Sequence, residues 1–527
     1  MDNKLEDNSK TETNSENKYT TSTTKRIAKN TLMLYFRQIL IMLVSLYTVR
    51  VVLNVLGAED YGIYNVVAGV VTMFSFLSAA MATASQRYFS FDLGKGDNEH
   101  LKTTFSVTFQ IYVLLAAVVI LLAETVGLWF VNHKLVIPAE RMVAANWIFQ
   151  AAIVSFLLTL ITTPYMASII AHENMNVYAY VSIIEAGLKL GIVFLLKILP
   201  YDKLIVYGLL LATVALINTS IYRLYCHKHY EECKFRFVKD GKLFKEIVSY
   251  SGWNLFGSMA GVFKNQITNI ILNLFFGAVV NAARGIALQV NSAVTSFAQN
   301  FTTAIRPAII KNYAAEEKEK VYSLVYRGCK FTFFLMYIFA LPLCLEMNIV
   351  LNIWLKTPPE YTVIFTRLVI IESVLTSMSF SVMTLAQATG KIKLYQGVVG
   401  GILLLNLPVS YFVLKMGAKP YAVIQVAIGV EITAFIFRLI IVHHLSGLSI
   451  AKFIIKTFIP CIFVSIISAI IPVVFVYKFE ESFLRLIFTI LISVICVSVA
   501  VFFLGMNKAE RNGIVGKIKN KLRKHEC

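Results

Sequence analysis

Runs of about twenty apolar residues recur along most of the chain, separated by short segments where charged residues, glycine and proline collect. At 1.5 Å per residue, such a run spans the roughly 30 Å hydrocarbon core of a bilayer. Half-buried strands would instead alternate with a period of two. The pattern predicts helices over residues 28–56 (α1), 61–86 (α2), 104–131 (α3), 142–169 (α4), 176–199 (α5), 204–225 (α6) and 249–276 (α7). It continues with 280–307 (α8), 324–352 (α9), 361–388 (α10), 393–415 (α11), 420–444 (α12), 455–477 (α13) and 482–505 (α14). Breakers mark the connections, among them Gly57-Ala58-Glu59-Asp60, Gly94-Lys95-Gly96-Asp97 and Thr357-Pro358-Pro359-Glu360. The expected fold is an all-α polytopic membrane protein of about fourteen transmembrane helices.

Composition agrees: 57% of the 527 residues are hydrophobic and 15% are charged, where a soluble protein averages about a quarter charged. Charge adds direction. A net charge of +19 would suit a nucleic-acid partner, but the cations sit between apolar runs, as the positive-inside rule requires. With the N-terminus in the cytoplasm, inner segments hold 34 of the 49 Lys and Arg, five outer loops hold ten, and five lie within helices. Both termini are therefore expected in the cytoplasm, and no nucleic acid is expected as a partner. Residues 1–27, polar and without a secretory leader, read as a disordered cytoplasmic tail. Residues 226–248 read as a cytoplasmic linker. The basic tail 506–527 either lies on anionic lipid or is solvated. The outer loops are too short to build an extracytoplasmic domain. Seven cysteines include no CxxC pair, and the segment Cys226-His227-Lys228-His229…Cys233 matches no zinc spacing. Neither a metal nor a cofactor is expected.

The chain carries traces of an internal repeat. An offset of 219 pairs Asn54 with Asn273, Thr72 with Asn291, Thr83 with Thr302 and Arg87 with Arg306. An offset of 217 pairs Ala171 with Ala388 and Tyr178 with Tyr395. These suggest two six-helix lobes, 28–225 and 249–444, related as a parallel repeat, with α13 and α14 (within 445–505) outside it. The same places carry motifs. Leu56-Gly-Ala-Glu-Asp-Tyr-Gly-Ile-Tyr64 resembles the LG-x-x-x-YG-x-Y signature of polysaccharide exporters. Ala84-Ser-Gln-Arg-Tyr-Phe-Ser90 with Gly94–Asp97 is similar to their motif after the second helix, and Ala388-Thr-Gly-Lys-Ile-Lys-Leu-Tyr395 to their loop between the tenth and eleventh. Over about residues 28–445 the chain resembles the polysaccharide transporter branch, which includes O-antigen-type flippases, of the multidrug/oligosaccharidyl-lipid/polysaccharide (MOP) superfamily. The resemblance implies a MATE-like fold, outward flipping of undecaprenyl-diphosphate-linked oligosaccharide by alternating access, and a cavity lined by α1, α2, α7 and α8. It also implies a bacterial inner-membrane location, with membrane lipid and the lipid-linked sugar as partners.

Ionisable groups inside a span are costly and usually face a wet cavity or a partner. Five basic residues lie there: Arg37 and Arg50 in α1, Lys189 in α5, Lys264 in α7 and Arg284 in α8. Such an excess suits an anionic diphosphate, to which arginine offers a bidentate fork. Lys189 stands four residues after Glu185 and can pair with it on one helical face. Arg37 can snorkel part-way to the inner side, and Arg50 and Arg284 can anchor at the outer interface. Arg37 and Arg50 are thirteen residues apart, roughly 220° around a helix, so both cannot point at one cavity centre. Lys264 has no acid at three or four residues' distance and is the strongest cavity candidate.

Polar stripes support α7 (Asn254, Ser258, Gly261, Asn265, Asn269) and α8 (Arg284, Asn291, Thr295, Thr302, Arg306) as the pathway, although such stripes also glue helices together. Arg87 and Arg306, at the inner ends of α2 and α8, read as a phosphate-binding inner mouth, a gate, or plain interfacial anchors. Glu185, Lys189 and Glu372 are candidates for coupling to H⁺ or Na⁺. A drug or organic-ion antiporter of the same superfamily would want carboxylates in the cavity. A polysaccharide polymerase or ligase would want a large outer loop carrying its catalytic residues. No P-loop, HExxH or paired-carboxylate motif is present. The reading is a monomeric transporter and not an enzyme.

Overall fold

The computed structural model describes residues 26–512, apart from 28, 46, 49–50, 53–54, 58–59, 61–62, 65–66, 72–73, 136, 277, 356–357 and 509, and apart from the side chains of 262–263, 265–267, 270, 273–274, 278–279 and 281–282. Among the described residues every regular element is helical. After α1, helical over 29–45 and in pieces to 57, the helices observed are Ser75–Lys95 (α2), Asn98–His133 (α3), Ala139–Ala171 (α4), Met175–Ile198 (α5), Lys203–His229 (α6), Gly241–Phe276 (α7) and Ala278–Ala314 (α8). There follow Lys318–Leu345 (α9), Thr362–Ala388 (α10), Ile392–Lys415 (α11), Ala422–Ser446 (α12), Ile450–Lys478 (α13) and Phe483–Gly505 (α14). Nine of these described helices are long and apolar enough to cross a membrane.

Several helices run past the predicted limits. α2 ends at Lys95, α7 begins at Gly241 and α8 continues through Pro307 to Ala314. Apolarity marks the hydrocarbon, not the helix, and turns beyond the bilayer can be polar. The ends are set by local chemistry instead. Asp97 caps α3 by accepting from the His100 amide at 3.0 Å, and Asp202 caps α6 through the amides of Leu204 and Ile205 at 3.0 and 3.1 Å. Gly96 and Gly447 close α2 and α12 in the left-handed conformation, at φ of 72° and 78°.

The chain forms two compact units. One comprises Lys29–Ser258 and Ile310–Glu316, the other Met259–Ile309 and the described residues from Glu317 onward. In the first, α4 packs along α6 and against α2 and α3. Phe89, Phe105, Tyr165, Tyr222, Cys226 and Tyr230 fill its polar end, and Phe149, Ile148 and Val71 lie within another cluster. The segment 226–248, predicted as a linker, is built into this unit. Its Tyr230 ring stacks on His172 at 4.2 Å, Glu232 accepts from or pairs with that imidazole at 2.6 Å, and Glu246 accepts from Tyr88 at 3.1 Å. Cys226 and Cys233 are buried there, and no group of three metal-ligating side chains occurs among the described residues. In the second unit α9 packs on α10, α13 and α14 around Phe333, Phe334, Met336, Ile370, Cys461 and Val464. The outer faces of α13 and α14 are apolar and exposed, as lipid contact requires: Phe463, Ile466, Ile470, Leu491 and Ile495 are among the residues that cover them.

Candidate functional site: buried charge clusters and a polar cavity

Each unit gathers two cations and one carboxylate, half-buried to exposed in the first unit and buried to half-buried in the second. In the first unit a cavity of about 500 Å³ opens between α1, α4, α5 and α6. Arg37 enters it from α1, its Nη1 donating to Ser182 Oγ at 3.5 Å and its guanidinium lying 4.6 Å from the centre of the Tyr178 ring. Glu185 and Lys189 join it from α5. One helical turn apart, they meet at 2.7 Å, and Asn218 of α6 donates to the second Glu185 oxygen at 3.2 Å. Two cations against one fully engaged carboxylate leave a formal charge of +1 in a space also lined by Tyr207, Tyr222 and Thr162.

The second unit repeats the composition with different elements. Lys264 of α7 reaches Glu372 of α10 at 2.5 Å, with side chains 11% and 18% exposed. Glu372 also acts electrostatically on Arg284 of α8, which is buried. The α7 backbone is tied in beside it: Thr268 donates to the Lys264 carbonyl at 2.5 Å, Asn406 donates to Thr268 at 3.3 Å, and Ser410 donates to Asn406 Oδ1 at 3.5 Å. Again two cations face one carboxylate. An ionised group in hydrocarbon costs several kcal/mol unless paired, which favours the contact between Lys264 and Glu372.

Residues 27–315, more than half of the chain, match the family model described as polysaccharide biosynthesis protein. The chain belongs to that family. No curated protein matches it. Solved structures supply the fold. A multidrug resistance MATE family transporter of the MOP superfamily, in an outward-facing conformation, is 12% identical with a TM-score of 0.69, covering 80% of this chain and 96% of its own. A MATE structure in the bent conformation is 13% identical with a TM-score of 0.69, covering 81% and 96%. A MOP superfamily transporter from Pyrococcus furiosus, whose binding pocket is described as of reverse polarity, is 12% identical with a TM-score of 0.66, covering 80% and 96%. This member of the polysaccharide biosynthesis family thus has a multi-pass helical fold like that of the solved MATE transporters.

Within this fold the sequence candidates fall into distinct places. Lys264, Glu372 and Arg284 share one cluster; Arg37, Glu185 and Lys189 share the other. Arg50 and the Asn265 side chain lie outside the described residues. Asn254 is buried in the first unit, whereas Asn269 and Asn291 are half-buried in the second. Arg87 is buried with its guanidinium over the rings of Tyr88, Phe91 and Tyr250, at 4.5, 4.7 and 5.5 Å. Such a cage holds a cation in place by its ring quadrupoles. Arg306 is half-buried on α8.

Other charges form contacts outside the sequence candidates. Arg485 of α14 forks onto both oxygens of Glu346 at 3.0 and 2.7 Å, with Thr489 donating to the same carboxylate at 2.8 Å. Arg438 pairs with Glu431 on α12 and donates to Ser379 at 2.9 Å. Arg367 donates to the Cys344 carbonyl at 2.8 Å, at the break between α9 and the short helix Met347–Leu355. The spacing of seven between Glu431 and Arg438 puts both on one helical face and could have been read. Nothing links positions 346 and 485 in the sequence.

Proposed function

We propose that this protein is a transporter of the flippase type. It carries lipid-linked oligosaccharide of the undecaprenyl-diphosphate type from the cytoplasmic to the outer leaflet of the bacterial inner membrane by alternating access, for surface polysaccharide export. The observation that carries the reading is the cavity of the first unit, where Arg37 and Lys189 stand with Glu185 among tyrosine, threonine and asparagine side chains. A diphosphate suits a lining that holds arginine and lysine, and hydroxyl and amide groups with aromatic faces suit sugar rings. Family membership supports the same chemistry. The distribution of Lys and Arg supports both termini in the cytoplasm, and the protein is taken to act as a monomer.

Glu185 and Glu372 are the natural coupling groups. Each faces a lysine, so protonation of the carboxylate would release that lysine to a phosphate. An antiporter of organic cations is disfavoured by the same contacts, because both carboxylates are already neutralised by lysine. The test is flipping in proteoliposomes: a lipid-diphosphate-linked oligosaccharide should become accessible to an impermeant glycosidase faster than in protein-free liposomes. Equal rates would sink the proposal.

A further inference from the structure

A separate cavity of about 440 Å³ lies in the second unit, where the first turns of α9 and α13 meet the end of α14. Four cations line it, Arg327 and Lys330 from α9 and Lys452 and Lys456 from α13, against two carboxylates, Glu319 and Glu510. Their formal sum is +2. Glu510 takes up both α9 cations, with Arg327 at 3.2 Å and the buried Lys330 at 2.9 Å. Glu510 carries one charge against two, and Glu319 is the other carboxylate of the lining, so the positive surplus is spread over the α9 and α13 cations. Among the described residues neither Lys452 nor Lys456 forms an ion pair with a carboxylate, and Lys456 stands 5.9 Å from the Tyr326 ring centre.

The walls are specialised as well. Both α13 and α14 take a π-helical turn here, Ile454–Phe458 and Val501–Gly505; such bulges re-aim side chains and recur at functional sites. Gly505 lets α14 end against α9, since a Cβ there would lie 2.7 Å from the Phe334 ring. The rim is apolar and open: Ile455 is 63% and Leu504 43% exposed.

We infer that this cavity binds the phosphate of an anionic membrane lipid. The two lysines, one turn apart, supply charge-assisted hydrogen bonds to phosphate oxygens, and the exposed Ile455 and Leu504 beside them continue into the apolar faces of α13 and α14, against which acyl chains can lie. Free phosphate would have no use for that apolar rim. None of these residues belongs to the two charge clusters, so the site stands independently of the proposed transport pathway.

The test uses full-length purified protein titrated with short-chain phosphatidylglycerol, with the matching phosphatidylcholine, and with inorganic phosphate, read by native mass spectrometry and by thermal unfolding. Phosphatidylglycerol should bind best and raise the unfolding temperature most. Lys456→Gln should weaken it about 5-fold and Lys452→Gln/Lys456→Gln roughly 30-fold, from about 1 kcal/mol per lysine near a lipid surface. Phosphatidylcholine binding should be unchanged in both. Lys478→Gln, at the far end of α13, should behave as the wild type. Because both lysines are exposed, these variants keep the core intact, and their unfolding temperature without lipid checks that they do. Undiminished phosphatidylglycerol binding in the double variant would overturn the site. Inorganic phosphate binding as tightly as phosphatidylglycerol would overturn the lipid as its occupant.

Discussion

Glu372 is bound to Lys264 and acts on Arg284, so its charge holds two buried cations at once. Glu372→Gln removes that charge from both, and removing one member of a buried pair costs about 3–5 kcal/mol. The variant should unfold at a markedly lower temperature. Adding Lys264→Met should recover much of that loss while leaving flipping abolished; recovered flipping would show that Lys264 serves packing alone. Arg37 makes the contrasting case. It is half-buried and its guanidinium lies in a cavity, so Arg37→Ala should cost less stability than Glu372→Gln. Its flipping rate should fall about tenfold or more, the worth of roughly 1.5–3 kcal/mol for a hydrogen bond to a charged group. A normal rate would remove Arg37 from the pathway. Arg485→Ala should do the reverse, lowering the unfolding temperature through its broken fork with Glu346 while each folded molecule still transports. Lys189 with Glu185 was legible from a spacing of four, and Glu431 with Arg438 from a spacing of seven. The partners of Lys264 and Arg485 lie more than a hundred positions away, and only packing reveals them.

Among the elements, the starts of α4 and α6 are joined by one clamp. Arg141 pairs with Asp60 and reaches Asp202 at 2.6 Å. Burial alone would raise the Asp202 carboxyl, but Arg141 and the capped amides of Ile205 and Leu204 outweigh it and hold the group below its ordinary value of 3.8. A depressed carboxylate contributes stability that is complete above the unfolded value and is lost as pH falls through the folded one. Asp202→Asn should therefore be less stable than the wild type at pH 7, and the gap should narrow below about pH 4. A gap independent of pH in thermal unfolding would mean that the clamp acts by shape and not by charge. Helix contact is equally specific between α9 and α10. A Cβ at Gly328 would stand 2.2 Å from Ser381 Oγ, so Gly328→Ala should force the helices apart and cost about 1–3 kcal/mol, read as a lower unfolding temperature. An unchanged temperature would show that Ser381 can swing away. The apolar runs made these helices predictable; the point of closest approach depends on one absent side chain.

For the whole molecule, an anionic substrate would give the proposed transport an electrical direction. An outward-moving dianion gains about 4–5 kcal/mol at 100 mV, inside negative, from roughly 2.3 kcal/mol per charge. Collapsing the potential with an ionophore should slow flipping in proteoliposomes several-fold. An unchanged rate would mean that the cycle is electroneutral, with protons at Glu185 or Glu372 balancing the charge.

The sequence by itself determined the class, because a twenty-residue apolar run has few physical solutions besides a membrane helix, and short motifs in order carried the family. Composition also set the basic bias inside the spans. Tertiary structure decided what those charges do. It drew Lys264 to Glu372, set Arg37 in a cavity of its own with Tyr178, caged Arg87 among three rings, and folded residues 226–248 onto the first unit. Each of these depends on contacts between distant segments, whose strength comes from excluding water, and water exclusion is a property of the packed chain rather than of any stretch of it.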